Sequence, residues 1–373
     1  MAEDIQHGCS WLASSDIDHF LNRAAQRGIP LTVTLELTHR CNFRCVHCYL
    51  GDQEAIHKHR SKELDTEKIL SLLDELVDAG TLFLTLTGGD PMLRPDFVRI
   101  YEYAVHRGLL VSVYCNGSLI TDEIVNSFIK YPPRIIEVTL YGATEITFES
   151  ITQQKGSFAA CMNGVARLLQ SKNRLRLKTM VMSLNYQEMP AIRNLVQKMG
   201  VGFRHDCAIL PALPNDDNGG ALNSKKGVKK LGLQETLRFR ISPQQAVAID
   251  HGDKILKEKI RQLSLHKPLL KKTTRLYKCA AGRSSFHITP YGRMQPCIIT
   301  LYPFVDLLKK DNKLLSSWES LSEQIDQQRV TSNFICTSCV ERKKCTGCPS
   351  SFLLESGCLE EVPSFYCDYT KCR

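Results

Sequence analysis

No run in this chain approaches the roughly 20 apolar residues that a membrane-spanning helix requires, so a helix-anchored membrane protein is not expected and the chain reads as soluble. The first thirty residues also lack a basic start followed by an unbroken apolar stretch. A secretory signal is therefore not expected, and the compartment reads as the reducing cytoplasm. Acidic residues are scarce between residues 221 and 279, where fifteen Lys and Arg face four Asp and Glu in a chain of net charge +9. Such a stretch is either a solvated surface or a field that attracts an acidic peptide or nucleic acid. It lacks the interleaved aromatics that stack bases, which speaks against nucleic acid.

What the chain has in excess is cysteine, 16 in 373 residues. In a reducing compartment such thiols are not a disulfide framework, and metal is the better reading. Three of them lie in Cys41-Asn-Phe-Arg-Cys45-Val-His-Cys48, directly after the apolar run 31–37. The C-x3-C-x2-C spacing gathers three thiolates around one small volume. A four-iron cubane takes four ligands, so one iron is left open for chemistry. A structural zinc site is the competing reading, but it closes its shell with a fourth Cys or His. The nearby candidates are His39 and His47, and His47 inside the triplet cannot easily turn back onto the same metal.

From 31 to about 210 strand-like and helix-like patterns alternate, the signature of βα units on a parallel sheet. Strands are expected at 31–37, 82–87, 109–115, 135–141, 175–182 and 202–210. Helices are expected after Asp65, from Pro95 through Tyr103, and near 121–130, 157–169 and 189–199. Six units are fewer than the eight of a closed barrel, so the sheet is expected to curve without closing. Functional groups gather where such strands end. The cysteine triplet, Gly88-Gly89-Asp90-Pro91, Asn116, Thr139 and Cys207 all fall at or just beyond strand ends. Residues 211–275 read as a basic linker or insertion, and a second cysteine-dense module begins at 276.

The triplet, followed by Tyr49, resembles the signature of the radical S-adenosylmethionine (SAM) superfamily. The resemblance implies a partial (β/α)6 barrel, with a [4Fe-4S] cluster on Cys41, Cys45 and Cys48 whose fourth iron chelates SAM and whose electron yields a 5′-deoxyadenosyl radical. It also implies a reductant such as flavodoxin or ferredoxin. Gly88-Gly89-Asp90-Pro91 resembles the family's Gly-Gly-Glu-Pro segment, which takes the SAM ammonium on its backbone, with Asp90 where Glu is usual. Asn116, Thr139 and Lys178 sit where similar proteins contact the cofactor, Thr139 at a ribose hydroxyl and Lys178 at the carboxylate. Read as residues alone, Asn116 is a turn former, Thr139 a strand former and Lys178 a snorkelling cation.

Nine further cysteines follow residue 275: Cys279, Cys297, Cys336-x2-Cys339-x5-Cys345-x2-Cys348, Cys358, Cys367 and Cys372. Paired C-x2-C units also build zinc ribbons, which is the alternative here. Their order resembles the SPASM extension of radical SAM enzymes, a small cysteine-rich domain that holds two auxiliary [4Fe-4S] clusters. On that resemblance Cys279, Cys297 and Cys348 bind the first and Cys336, Cys339, Cys345 and Cys367 the second. Cys348 departs from the usual spacing, Cys358 and Cys372 are spare candidates, and the first cluster's fourth ligand is unassigned. The division expected is thus 1–30 extension, 31–210 barrel, 211–275 basic linker and 276–373 SPASM domain.

Proteins similar in architecture oxidise or rearrange residues of peptides and proteins. The function expected is maturation of a ribosomally synthesised peptide by crosslinking, thioether formation or epimerisation, with Cys207 as a candidate hydrogen-atom donor facing the radical site. Thirty residues before the first strand are too few for a winged-helix leader-binding domain, so a separate leader-binding protein or the basic stretch is expected to recognise the leader. Sulfatase-type formylglycine formation and small-molecule radical oxidoreduction are the enzymatic alternatives. Ile298, where sulfatase-maturing members carry an acidic base, argues against the former. From another class, a non-catalytic iron–sulfur electron carrier or a zinc-binding protein remains an alternative.

Overall fold

The computed structural model describes residues 20, 22–213, 234–265, 274–309 and 313–373. Six parallel strands, β1 (Thr32–Thr38), β2 (Phe83–Gly88), β3 (Leu110–Cys115), β4 (Ile135–Thr139), β5 (Leu175–Met180) and β6 (Gly202–Asp206), run side by side in sequence order. The sheet continues beyond β1 with parallel β7 (Ser285–Ile288) and antiparallel β8 (Arg293–Gln295) and β9 (Val305–Asp306), in the order β6-β5-β4-β3-β2-β1-β7-β8-β9. It is open, as the count of units requires. β7 comes from the cysteine-rich region, so the sheet runs through the boundary expected near 276.

The strands alternate, with one register irregularity between Glu36 and Thr38 on β1, and the alternation assigns two faces. Val33, Leu35, Leu84, Leu86, Val111, Val113, Ile136, Val138 and Leu177 are buried under helices. The opposite face carries Thr34, Thr85, Ser112, Tyr114, Glu137, Arg176, Lys178 and Arg204, aligned by register across β1 to β6. The helices covering the apolar face include α2 (Thr66–Asp78), α3 (Phe97–His106), α4 (Asp122–Lys130), α6 (Ser157–Gln170) and α7 (Met189–Met199), with the short α1 (Gln53–His57) and α5 (Glu145–Thr152) in connections. α2 starts where Asp65 accepts the amide of Lys68, and it buries Ile69, Leu70, Leu72, Leu73 and Leu76, the 3.6-residue stripe legible in the sequence.

Two expectations are corrected. The sixth strand ends at Asp206 and not at 210, because the Asp206 side chain accepts the amide of Ala208 at 2.8 Å and turns the chain. α5 was not expected; Thr144 caps it through the amide of Thr147. The segment expected as a basic linker or insertion contains α8 (Pro243–His251) and α9 (Lys254–Leu265), while its residues 214–233 and 266–273 lie outside those described. A capping box formed by Ser242 and Gln245, with Pro243 at the first helical position, starts α8.

The C-terminal region adds α10 (Leu314–Gln327), α11 (Pro349–Ser356) and α12 (Ser364–Cys372). Arg240 joins it to the barrel. Its guanidinium pairs with Glu355 at 2.6 Å, donates to the carbonyl of Ile209 and lies over the ring of Phe365 at 4.4 Å, with both charged side chains under 10 % exposed. Removing one partner of such a pair strands the other in the interior. Arg240→Ala is expected to destabilise the protein by about 3–5 kcal/mol, read as a lowered Tm, and Glu355→Gln, which keeps a hydrogen-bond acceptor, by less.

Candidate active site

The cysteine loop leaves β1 and is fixed from three sides. The amides of Arg44 and Val46 donate to the carbonyls of Thr152 and Ile151 at the end of α5 (2.9 and 3.0 Å). Gln53 accepts the amide of Cys41 at 2.8 Å, and Phe43 is buried edge-on to Phe148. At the end of β2 the amides of Gly89 and Asp90 donate to the carbonyls of Thr38 and Arg40 at 2.8 and 2.9 Å. Gly88 has φ +145, and a Cβ there would strike the Thr38 carbonyl; at Gly89 it would strike those of His39 and Arg40. The paired glycines therefore admit the cysteine loop itself to close approach.

Asp90 is fully buried and its carboxylate is occupied: Oδ1 accepts the amide of Met92 (3.0 Å) and Oδ2 that of Asn116 (2.8 Å). Burial, opposed by those bonds, pushes its carboxyl up to about 6. Asp90 thereby caps the turn Pro91–Leu93 and ties the end of β2 to that of β3. Asn116 in turn donates Nδ2 to Asn42 Oδ1 (2.8 Å) and lies 3.6 Å from the thiol of Cys41. One polar chain thus connects three expected site segments.

The thiols of Cys41, Cys45 and Cys48 lie close enough to raise one another. Burial is the larger cause: it pushes Cys41 up to about 12 and Cys45 and Cys48 above the usual thiol range. Three such groups stay protonated unless a metal's positive charge draws the protons off. A single zinc ion is a poor match, because its ligand atoms must crowd together. Among the described residues, the one group of three or more His, Cys, Asp or Glu ligand atoms within 4.8 Å of one another is His205, Cys207 and Asp250. The more widely spread triplet suits a cluster.

Beside the triplet the polar sheet face offers unmet binding capacity. Lys178, half-buried on β5 and in register with Thr139 at the end of β4, has no carboxylate within ion-pair range among the described residues. Burial, then the charge of Arg204, lowers its pKa. His47 packs against Tyr141, with ring centroids 5.0 Å apart, and its buried Nδ1 makes no hydrogen bond. A buried ammonium and an orphaned ring nitrogen beside three thiols fit a zwitterionic ligand such as SAM.

Two charged networks on this face escaped the sequence reading. Glu36, 2 % exposed, accepts Nε2–H from His39 (2.7 Å) and His287 (3.0 Å) and the hydroxyl of Tyr49 (2.7 Å). Burial alone would raise its carboxyl, but the two imidazoles outweigh that and hold it well below the usual range. The Tyr49 hydroxyl, expected at the cofactor, is committed to Glu36. Glu137, equally buried, binds Arg176 (2.6 Å) and Arg204. The signal for both lay in the alternation of β1 and β5, which sets Glu36, Arg176 and Lys178 on one face.

Cys207 is corrected. It is 1 % exposed and packs on the helix-covered side, where Asp250 and Tyr369 are its electrostatic neighbours. Cys207 lies just past the end of β6 and belongs to the buried apolar core that includes Ala246 and Val247, so its thiol is enclosed there.

In the C-terminal region Cys336, Cys339, Cys345 and Cys367 line one cavity together with Phe334 and Phe352. Cys279, Cys297 and Cys348 form a second group around the buried Tyr277, each close enough to raise its pKa. The structure thus brings together both sets expected from the sequence, including Cys348 with its shortened spacing. Cys358 and Cys372 are exposed, and Cys358 donates its amide to Ser356 Oγ.

Residues 35–196, which contain the triplet, Gly88 to Pro91, Asn116, Thr139 and Lys178, match the model of the Radical SAM superfamily. The AdoMet-dependent heme synthase of Methanosarcina barkeri is 23 % identical over 359 residues, covering 92 % of this chain and 98 % of that protein. The subtilosin biosynthesis protein AlbA of Bacillus subtilis is 27 % identical over 275 residues, 73 % of this chain and 55 % of its own length. Streptococcus suis SuiB, solved with its precursor peptide SuiA, superposes with a TM-score of 0.65 over 93 % of this chain and 78 % of that one at 14 % identity, a likeness of fold. Residues 35–196 are thus a radical SAM domain, of a superfamily that uses a [4Fe-4S] cluster and SAM.

Proposed function

We propose that this enzyme matures a ribosomally synthesised peptide, its radical abstracting hydrogen from a side chain or α-carbon in a crosslink, thioether or epimerisation reaction. The cluster and SAM supply reductive sulfonium cleavage and a hydrogen-abstracting carbon radical when bound. Cys41, Cys45 and Cys48 hold the cluster, and Asn116 orients the loop through Asn42. Lys178 takes a carboxylate, Thr139 a ribose hydroxyl and the Gly88-Gly89 backbone an ammonium. Burial at Lys178 and His47 keeps water from competing for those groups. Glu137 holds Arg176 and Arg204 in place on the same face, where they present cationic edges to a substrate. Substrate peptide, a separate leader-binding protein and an external reductant complete the reading.

The observation that carries it is the pair of convergent cysteine sets, Cys279/Cys297/Cys348 and Cys336/Cys339/Cys345/Cys367, behind the βα core. They support two auxiliary clusters, the architecture that the SPASM resemblance ties to peptide maturation. AlbA and the mycofactocin maturase MftC of Mycobacterium tuberculosis, 26 % identical over 182 residues, are relatives of that kind. A second reading, a tetrapyrrole substrate, draws on the end-to-end match to the heme synthase, and Arg176, Lys178 and Arg204 would suit its carboxylates equally.

Co-expression with short precursor frames from the same locus, followed by mass spectrometry, is expected to show a modified peptide. Unchanged peptides together with turnover of an iron tetrapyrrole would establish the second reading instead. Anaerobically purified protein is expected to hold about twelve iron atoms per chain, falling to about eight in both Cys41→Ala and Cys336→Ala. Release of 5′-deoxyadenosine should vanish in Cys41→Ala. Lys178→Ala, which removes a charge-assisted contact, is expected to weaken SAM binding about 10- to 100-fold, measured by equilibrium titration.

A further inference from the structure

The buried group at the outer edge of the sheet lies apart from every cysteine set described above. His205 on β6, Cys207 just beyond it and Asp250 in the last turn of α8 place one ligand atom each within 4.8 Å of the other two. His205 and Asp250 are 1 % and 2 % exposed, with Nε2 3.0 Å from Oδ1, and Cys207 is 1 % exposed. The other carboxylate oxygen is held from outside. Tyr369 donates its hydroxyl to Oδ2 at 2.7 Å, and Arg373 donates Nε to it at 2.7 Å.

His205 Nδ1 makes no hydrogen bond and can carry the ring proton, which leaves Nε2, 3.0 Å from Asp250 Oδ1, as the ligand atom. Imidazole, thiolate and carboxylate together are the donor set of a borderline-soft divalent ion. Bonds of about 2.0–2.3 Å around a tetrahedral ion put neighbouring ligand atoms about 3.3–3.8 Å apart, and these three ligand atoms lie within 4.8 Å of one another. One thiolate and one carboxylate neutralise a divalent charge. The contacts from Tyr369 and Arg373 are the outer-shell bonds that orient a ligating carboxylate.

We propose that His205, Cys207 and Asp250 bind a single zinc-type divalent metal, separate from the iron–sulfur clusters. Its ligands come from the last barrel strand and from α8, and Tyr369 and Arg373 attach the C-terminal helix to the same carboxylate. The metal therefore staples α12 and the basic segment to the edge of the barrel. Metal binding there moves the His205 ring proton from Nε2 to Nδ1, releases the Cys207 proton to solvent and involves no change of oxidation state.

Iron-replete wild-type protein, grown with added zinc and passed through chelator, is expected to retain about one zinc per chain. His205→Gln and Cys207→Ser should each lose it at least about 5-fold with iron content unchanged, the retained iron showing that the variants fold. Cobalt-loaded wild type is expected to show a thiolate-to-cobalt absorption that Cys207→Ser lacks. Wild type holding full iron but no stoichiometric zinc or cobalt would overturn the proposal, as would zinc that persists in Cys207→Ser. Neither result bears on peptide maturation, which the iron and 5′-deoxyadenosine measurements test separately.

Discussion

The site depends on one backbone clamp. The amides at Gly89 and Asp90 donate to the carbonyls of Thr38 and Arg40, and that approach is possible only because neither 88 nor 89 carries a side chain. Everything chemical in the first half of the chain is located by it. The clamp fixes the start of the cysteine loop against β2, the carboxylate of Asp90 fixes β2 against β3, and Asn116 closes the circuit back to Cys41. Backbone hydrogen bonds have little slack at 2.8–2.9 Å, so three thiols on a loop acquire the rigidity of a sheet.

Around that clamp the sheet divides labour between its faces. One is apolar and buried by helices, and it supplies the hydrophobic stabilisation. The other carries Glu36, Glu137, Arg176, Lys178 and Arg204 in a half-enclosed setting where charges interact strongly and an unpaired ion is costly. The two glutamates are matched with cations or hydrogen-bond donors. Lys178 is not, among the described residues, and an unmatched buried ammonium is where a ligand carboxylate gains most.

The C-terminal region is joined to the barrel by a sheet as well as by side chains. β7 pairs in parallel with β1, and His287 on β7 reaches Glu36 on β1, so the strand that launches the cysteine loop also anchors the region holding the other thiols. Arg240 with Glu355, and Asp250 with Arg373, make two further buried connections. The module is thus held at both ends of the six-strand row, at β1 through β7 and at β6 through Asp250 and Arg373, an arrangement suited to keeping the cysteine sets at fixed places relative to the first site.

Spacing and periodicity by themselves determined the six βα units, the helix stripes such as Ile69 to Leu76 and the cysteine triplet. These are local patterns, set by the chain's own repeat and by ligand chemistry. Only tertiary structure decided that Gly88 and Gly89 face the cysteine loop, that Asp90 is spent on two amides, that Tyr49 belongs to Glu36, and that Cys207 lies with His205 and Asp250 on the far side. Most of those outcomes join separate segments of the chain, such as Gly88 with Thr38 and His205 with Asp250. No local pattern records which buried donor a carboxylate will meet, because that is settled when strands and helices pack and every buried polar group must find a partner.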